Sequence, residues 1–260
     1  MTKYDTDITD AEWRDLEPHF RNRTKKGRRQ TYPLRAILNG IVYCLKTGVQ
    51  WRNLPTDFPP WRTVYWHFMK WRDNSAFQEA HHHLRKELRQ VLGRNEDPSA
   101  GSMDSQTVKT TGASESVGYD GGKKIKGRKR HLLVDTLGLV IVLMVHSAGI
   151  VDRCGAELVL KSDGIPERLK HLWVDQGYSG PIVSNAGRAK GITIEVVGNP
   201  SQHTFQVAAK RWVVERTNAW ISSARRLTKD HEKTVASTES MIYLRMSCFY
   251  AIWKNNGAIT

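Results

Sequence analysis

Residues 128–148, RKRHLLVDTLGLVIVLMVHSA, hold two apolar, β-branched runs on either side of Asp-Thr-Leu-Gly. Val and Ile suit a pleated surface, and Asp and Gly suit a tight turn, so this stretch predicts a β-hairpin. The flanking segments extend a sheet in both directions. GSMDSQTV (101–108) is a short strand before the hairpin, KHLWV (170–174) a strand after it, and TIEVV (193–197) another. Helical stretches fall between them over 153–162 and 181–190, with Asp152 placed to cap the first. A longer helix, FQVAAKRWVVERTNAWISSARRL, covers 205–227. The order β, hairpin, α, β, α, β, α predicts an α/β fold: a mixed sheet flanked by helices.

Upstream the periodicity changes. In ITDAEW (8–13), Thr9 and Glu12 have the spacing of a capping box. In PLRAILNGIVYCLKTG (33–48), Leu34, Ile37, Leu38, Ile41, Val42 and Leu45 recur at helical spacing, and Gly48 is placed to end the helix. After the Pro-rich WRNLPTDFPPW (51–61), a third helical stretch over 63–92 is expected to break near Asp73–Ser75. The polar NEDPSA (95–100) reads as a linker. The expected division is therefore an all-α region over 1–95, helix-turn-helix-like, and a sheet domain over 96–260. Trp51, Trp61, Trp66 and Trp71 read as core packing. The consecutive His81, His82 and His83 fan around a helix and read as an exposed face.

The chain has 260 residues, of which 39% are hydrophobic, a globular proportion, with no run of apolar residues long enough to span a bilayer. The polar start lacks the order of a secretory signal, so a cytoplasmic protein is expected. Cys44, Cys154 and Cys248 fit no metal-ligand spacing and read as free thiols. Charge is more informative. Lys and Arg number 40 against 26 Asp and Glu, a formal net charge of +14. Residues 1–95 hold 18 basic and 10 acidic side chains, and basic clusters occur at 21–29 (RNRTKKGRR) and 123–130 (KKIKGRKR). Such an excess suits a polyanion such as duplex DNA, because neutralised phosphates release counterions. A solvated hairpin edge is the plainer account of the second cluster. No lipidation signal or basic amphipathic helix points to a membrane.

Three carboxylates stand where such a sheet exposes ligands. Asp104 lies in the first strand, Asp175 follows KHLWV, and Glu215 sits in the 205–227 helix with Arg211 one turn before it. Hard divalent cations take oxygen ligands and retain waters, so a few carboxylates and a phosphate suffice to hold them. Taken singly, each has a plainer account as a turn former, a surface Glu or an i, i+4 ion pair. Asp135 in the hairpin turn and Asp152 at a helix start have structural explanations, and His131 and His203 read as core or loop residues.

Over nearly its whole length the chain resembles transposases of the insertion-sequence-5 family, within the DDE superfamily. The resemblance rests on ITDAEW, NGIVYCLKTGVQWRNLP, DFPPWRTVYWHF and KWRD in the first half. In the second half it rests on DSQTVKTT, GYDGGKKIKGRKRHLLVDTLGL, WVDQGY, RWVVERTNAW and RRLTKDHE. It implies a ribonuclease-H-like catalytic domain with an Asp-Asp-Glu triad, matched here by Asp104 in DSQTV, Asp175 in WVDQGY and Glu215 in RWVVERT. The same triad would ligate Mg²⁺, with Mn²⁺ as a substitute. The wider signature places Tyr, Arg, Glu and Lys around the last carboxylate. Arg211 and Glu215 fit it, whereas Ala208 and Ser222 stand in place of the Tyr and Lys, and Arg225 or Arg226 would supply the missing charge.

The implied activity is cleavage of phosphodiester bonds at the terminal inverted repeats of the element, then joining of the freed 3′ ends to target DNA. The chain would act as a homodimer or higher homo-oligomer on double-stranded DNA, in the bacterial cytoplasm and at the nucleoid. Arg28, Arg29, Lys123, Lys124, Lys126, Arg128, Lys129, Arg130, Arg211, Arg225 and Arg226 are the expected phosphate contacts. Rival readings are another nuclease on the same fold and a DNA-binding protein without catalysis.

Overall fold

The structure, a computed structural model, describes residues 4–21, 31–112, 114–198 and 212–257. Four helices come first: α1 (Asp10–Phe20), α2 (Leu34–Thr47), α3 (Trp61–Asp73) and α4 (Ala76–Val91). The Thr9 side chain accepts from the Glu12 N–H while Glu12 accepts from the Thr9 N–H, so the expected capping box is formed. Gly48 closes α2 at φ 75°, a left-handed conformation costly for other residues, and its N–H reaches the Cys44 carbonyl. The chain breaks at Asn74 and Ser75 between α3 and α4, where the sequence suggested. No tight turn joins α2 to α3: residues 48–60 intervene, with a single 3-10 turn at Trp51–Asn53.

The sheet elements are β1 (Ala100–Lys109), β2 (Gly118–Asp120), β3 (Ile125–Asp135), β4 (Val140–Ser147), β5 (His171–Val174) and β6 (Thr193–Val196). Helices α5 (Asp152–Lys161), α6 (Pro181–Ala189), α7 (Trp212–Ser222) and α8 (Val235–Asn256) complete the chain. β1 runs antiparallel to β3 and parallel to β5, and β5 runs parallel to β6. One edge of β3 carries β2 along its first residues and β4 along the rest. This is the expected mixed α/β architecture. Met103, Leu133, Val159, Leu172, Val174 and Val183 form the centre of the core that α5 and α6 share with the sheet. In the β3–β4 turn, the buried Asp135 carboxylate accepts from the Leu137 and Leu139 N–H groups, the structural role expected of it.

Two compact units emerge. One comprises residues 1–94, 221–228 and 236–260; the other comprises 95–220 and 229–235. The break near 95 lies where the linker was read, but a single cut there does not reproduce the division, because α8 packs with the first helices. His81 stacks near Tyr243 and Tyr250 of α8, and Lys254 pairs with Asp15 and Glu87. His81 is thus buried rather than part of an exposed face, while His82 and His83 are exposed. The sequence reading gave no helix over 235–256. α8 is apolar around most of its circumference, which erases the one-sided periodicity that marks a surface helix. The expected 205–227 helix is seen as α7 over 212–222, followed by a 3-10 turn at Arg225–Leu227, with 199–211 outside the described residues. Among the described residues no helix is long and apolar enough to cross a membrane. Cys44, Cys154 and Cys248 form no disulfide, and burial pushes the Cys248 thiol up to about 11.

Candidate active site

Asp104 and Asp175 are brought together by strand register. β1 and β5 pair as Ala100–His171, Gly101–Leu172 and Ser102–Trp173. The ladder ends there; the same register carried two residues further would bring Asp104 opposite Asp175, just past the end of β5. Met103 and Val174, one step before them, both enter the α5–α6 core. Alternation then turns both aspartates toward the opposite side of the sheet. Each is half-buried. The chain leaves β5 at Asp175, whose Oδ1 accepts from the Gly177 N–H at 2.8 Å and so caps the 3-10 turn Gln176–Tyr178. Asp104 Oδ1 accepts from the N–H of Ser105 at 2.7 Å.

A further carboxylate, that of Asp152, lies near Asp175. Asp152 occupies the first residue of α5 rather than its cap, which is Val151. Its Oδ1 accepts from Ser105 Oγ at 2.9 Å and from Lys129 Nζ at 2.8 Å. A Cβ added at Gly177 would lie 3.9 Å from Asp152 Oδ2 and 3.0 Å from Asp175 Oδ1. The Tyr178 phenol is held well above its ordinary pKa by burial and then by the charges of Asp104, Asp152 and Asp175. Burial works to raise the Asp152 pKa, but hydrogen bonds from Lys129 and Ser105 outweigh it and lower it. The sequence reading passed over this group because a lone Asp at a helix start has a sufficient local explanation. Its position just past the strand VIVLMVHS was the available signal.

Glu215 is exposed on α7. Among the described residues no three or more His, Cys, Asp or Glu stand close enough to hold a metal ion. The Asp104–Asp175 pair has the oxygen donors that suit a hard divalent cation, which commonly takes one or two carboxylates together with waters and phosphate. α7 is fixed by Thr217, whose Oγ1 donates to the Gly138 carbonyl at 2.7 Å. Arg216 Nη2 donates to the Leu137 carbonyl, and its guanidinium lies between the rings of Trp212 and Trp220.

The basic hairpin divides. Lys123, Lys124 and Lys126 are exposed, with Lys123 Nζ donating to the Ser105 carbonyl. Arg128, Lys129 and Arg130 are buried, so the expectation that they contact phosphates is corrected. Arg128 donates to the carbonyls of Glu115, Glu232 and Lys233 and pairs with Asp230 at 3.1 Å. Lys129 bridges Asp152 and Asp120 at 2.8 and 3.4 Å and donates to the Ile150 carbonyl. Burial pushes the Asp120 pKa up, yet hydrogen bonds from Thr107 and the Lys123 N–H, with the Lys129 charge, hold it down to about 2. These cations sit in a strand buried on both faces, which a count of charges ignores. Arg226 is also buried, donating to the Val49 carbonyl over the Trp51 ring, whereas Arg225 is exposed. Arg28, Arg29, Arg211, Ala208 and His203 lie outside the described residues.

Beneath Asp152, His131 and His146 form a buried pair, Nδ1 to Nε2 at 2.8 Å. The Ser147 carbonyl 2.8 Å from His146 Nδ1 can only accept, which fixes the proton on that nitrogen and makes His131 Nδ1 the donor within the pair. Gly155 permits this, since a Cβ there would come within 2.2 Å of His131 Cε1. Burial, then the neighbouring His146, pushes His131 down to about 3, and burial lowers His146. Burial likewise takes His67 down to about 4 and His81 well below its ordinary value. A histidine neutral in the fold but protonated when unfolded near pH 6.5 stabilises above that pH, and the benefit is lost as pH falls toward the folded value. The urea midpoint is therefore expected to drop between pH 7.5 and pH 5, and His131→Gln should flatten the drop. A midpoint equal or higher at pH 5 would contradict this.

Comparison with known proteins gives the same picture in both halves of the sequence. Residues 8–81 match the family described as "Putative transposase of IS4/5 family", and residues 95–250 match "Transposase DDE domain". The chain is 26% identical over 137 residues to "Putative transposase for insertion sequence element IS402" of Burkholderia cepacia, covering 49% of this chain and 63% of that protein. It thus spans less than two thirds of that relative. It is 30% identical over 117 residues to an uncharacterized 16.2 kDa protein of the same element, covering 43% of this chain and 78% of that one. The DDE match implies a ribonuclease-H-like class for the sheet.

Proposed function

Because the chain belongs to the DDE transposases of the IS4/5 group, whose work is done on DNA with a divalent metal ion, we propose that it cuts the ends of its own insertion sequence and joins them to target DNA. The observation that supports the reading is the parallel register of β1 and β5, which, carried two residues past Ser102–Trp173, would bring Asp104 in the middle of β1 opposite Asp175 at the end of β5. Asp104 and Asp175 would hold Mg²⁺, or Mn²⁺ in its place, and Glu215 in RWVVERT is proposed as the third carboxylate. The bound ion would supply a Lewis acid for the phosphoryl oxygen and an activated attacking oxygen.

The protein's own contribution is positional. Lys129 and Ser105 hold Asp152 at the start of α5, the Asp175–Gly177 bond fixes the end of β5, and Tyr178 is buried beside them. Of the expected phosphate contacts among the described residues, Lys123, Lys124, Lys126 and Arg225 are exposed, and a homodimer or larger assembly on the DNA is part of the proposal. Incubating the full chain with labelled element ends and Mg²⁺, then mapping products, tests it. Nicks at the element boundary and joined strands are expected. Nicking without any joining would favour a resolving nuclease on the same fold, and duplex binding without metal-dependent nicking would favour a non-catalytic DNA-binding protein.

A further inference from the structure

The outer face of α3 combines aromatic and basic side chains. Its inner residues Val64, His67, Phe68 and Trp71 are buried. Its outer residues Arg62, Tyr65 and Trp66 are exposed, Trp66 to 57% and Tyr65 to 37%, with Lys70 one turn beyond. Trp66 is therefore not the core residue the sequence suggested. α3 carries no acidic side chain before its last residue, Asp73, which pairs with Arg72. At its start the Arg52 and Arg62 guanidinium groups lie 5.8 and 5.1 Å from the Trp61 ring, and Lys70 Nζ lies 5.3 Å from the Trp66 ring. α4, by contrast, mixes Glu79 and Glu87 with its basic residues.

We infer that this face of α3 is the surface that reads base sequence in double-stranded DNA, with Arg62 and Trp66 as the discriminating side chains. The inference rests on the proposed action at element ends. A helix about 10–12 Å across fits the roughly 12 Å major groove. There an Arg fork pairs with guanine O6 and N7, and an apolar surface meets the thymine methyl. Charge complementarity selects the partner, since Arg62 and Lys70 lie along a helix that carries no carboxylate before Asp73, with Arg52 beside its start. The aromatic geometry selects duplex over single strand. A stacking platform for unpaired bases needs an open ring face; Lys70 lies over Trp66, and the His67 ring meets it edge-on at 4.8 Å.

Competition binding by the full chain, using end-bearing and scrambled duplexes at one fixed salt concentration, tests this. Arg62→Ala with Trp66→Ala should cut the preference for the end-bearing duplex about 10- to 100-fold, while affinity for scrambled duplex stays within about threefold. Arg62→Lys keeps the charge but loses the fork, so it too should lose discrimination while holding general affinity. Lys124→Ala with Lys126→Ala should instead weaken both duplexes equally and leave the preference intact. A preference unchanged in both Arg62 variants overturns the inference, as does a loss confined to single-stranded DNA. Wild-type protein that cuts end-bearing duplex without preferring it overturns the role of α3 and spares the catalytic reading. Selective binding lost in these variants, in a chain that never nicks with Mg²⁺, supports the α3 surface and sinks the catalytic reading.

Discussion

Arg128→Met is expected to lower the stability of the sheet unit by about 3–5 kcal/mol, the usual cost of stripping one partner from a buried ion pair. Arg128 is 0% exposed, and its partner Asp230 is 1% exposed. The guanidinium also ties three carbonyls, those of Glu115, Glu232 and Lys233, to β3. Met matches much of the volume but leaves the Asp230 charge and those carbonyls without their donor. Asp230 also accepts from the Glu232 N–H, so it retains a polar role when neutralised. Adding Asp230→Asn to Arg128→Met should therefore recover part of the loss, because the stranded charge is the largest penalty. Urea unfolding at pH 7.5 measures all three proteins. A loss below about 1 kcal/mol in the single variant would show that Arg128 is solvated in solution, restoring it as a candidate for DNA contact.

Asp104→Asn and Asp175→Asn are each expected to reduce cleavage at least about 10³-fold, equivalent to about 4 kcal/mol of barrier, while duplex binding stays within about threefold. The amide keeps the size of the side chain and its local hydrogen bond to Ser105 or Gly177, so folding is a minor variable. What it removes is the negative oxygen a hard cation requires. Glu215→Gln tests a separate point. The register of β1 and β5 argues for the two aspartates, whereas Glu215 rests on its motif, so an active Glu215→Gln protein removes that residue alone. Near-normal nicking by Asp104→Asn or Asp175→Asn removes the metal site as proposed. Single-turnover cleavage of a labelled end, across a Mg²⁺ titration, separates weakened metal affinity from lost chemistry.

The sheet was legible because its evidence is local and repetitive. Leu132–Val134 and Leu139–Val145 are apolar on both faces, a pattern that a strand buried between layers produces. Asp104 and Asp175 could be picked from motifs, and the resemblance implied that they share one metal; the pairing of β1 with β5 that supports this joins residues 71 apart and leaves no local signal. Charge was the least reliable guide. Within KKIKGRKR, three cations face solvent and three turn inward, and only the carbonyls and carboxylates waiting at Glu115, Asp230 and Asp152 distinguish them. Trp66 and Trp71 show the same difficulty among aromatics. Five positions apart on one helix, they face opposite ways, and composition alone assigns both to the core.

The return of α8 to the first helices has a consequence for biosynthesis. Lys254 must emerge before Asp15 and Glu87 gain their cation, and Tyr243 and Tyr250 before His81 is enclosed. At roughly 5–20 residues per second, α1 waits on the order of ten to fifty seconds for its partner to be translated. The sheet between them is complete in sequence earlier, apart from the short return over 229–235. Translation ended before residue 235 would thus leave a chain whose first helices lack a wall of their core. Premature termination late in the reading frame should yield protein cleared by proteases rather than a truncated competitor for the element's ends.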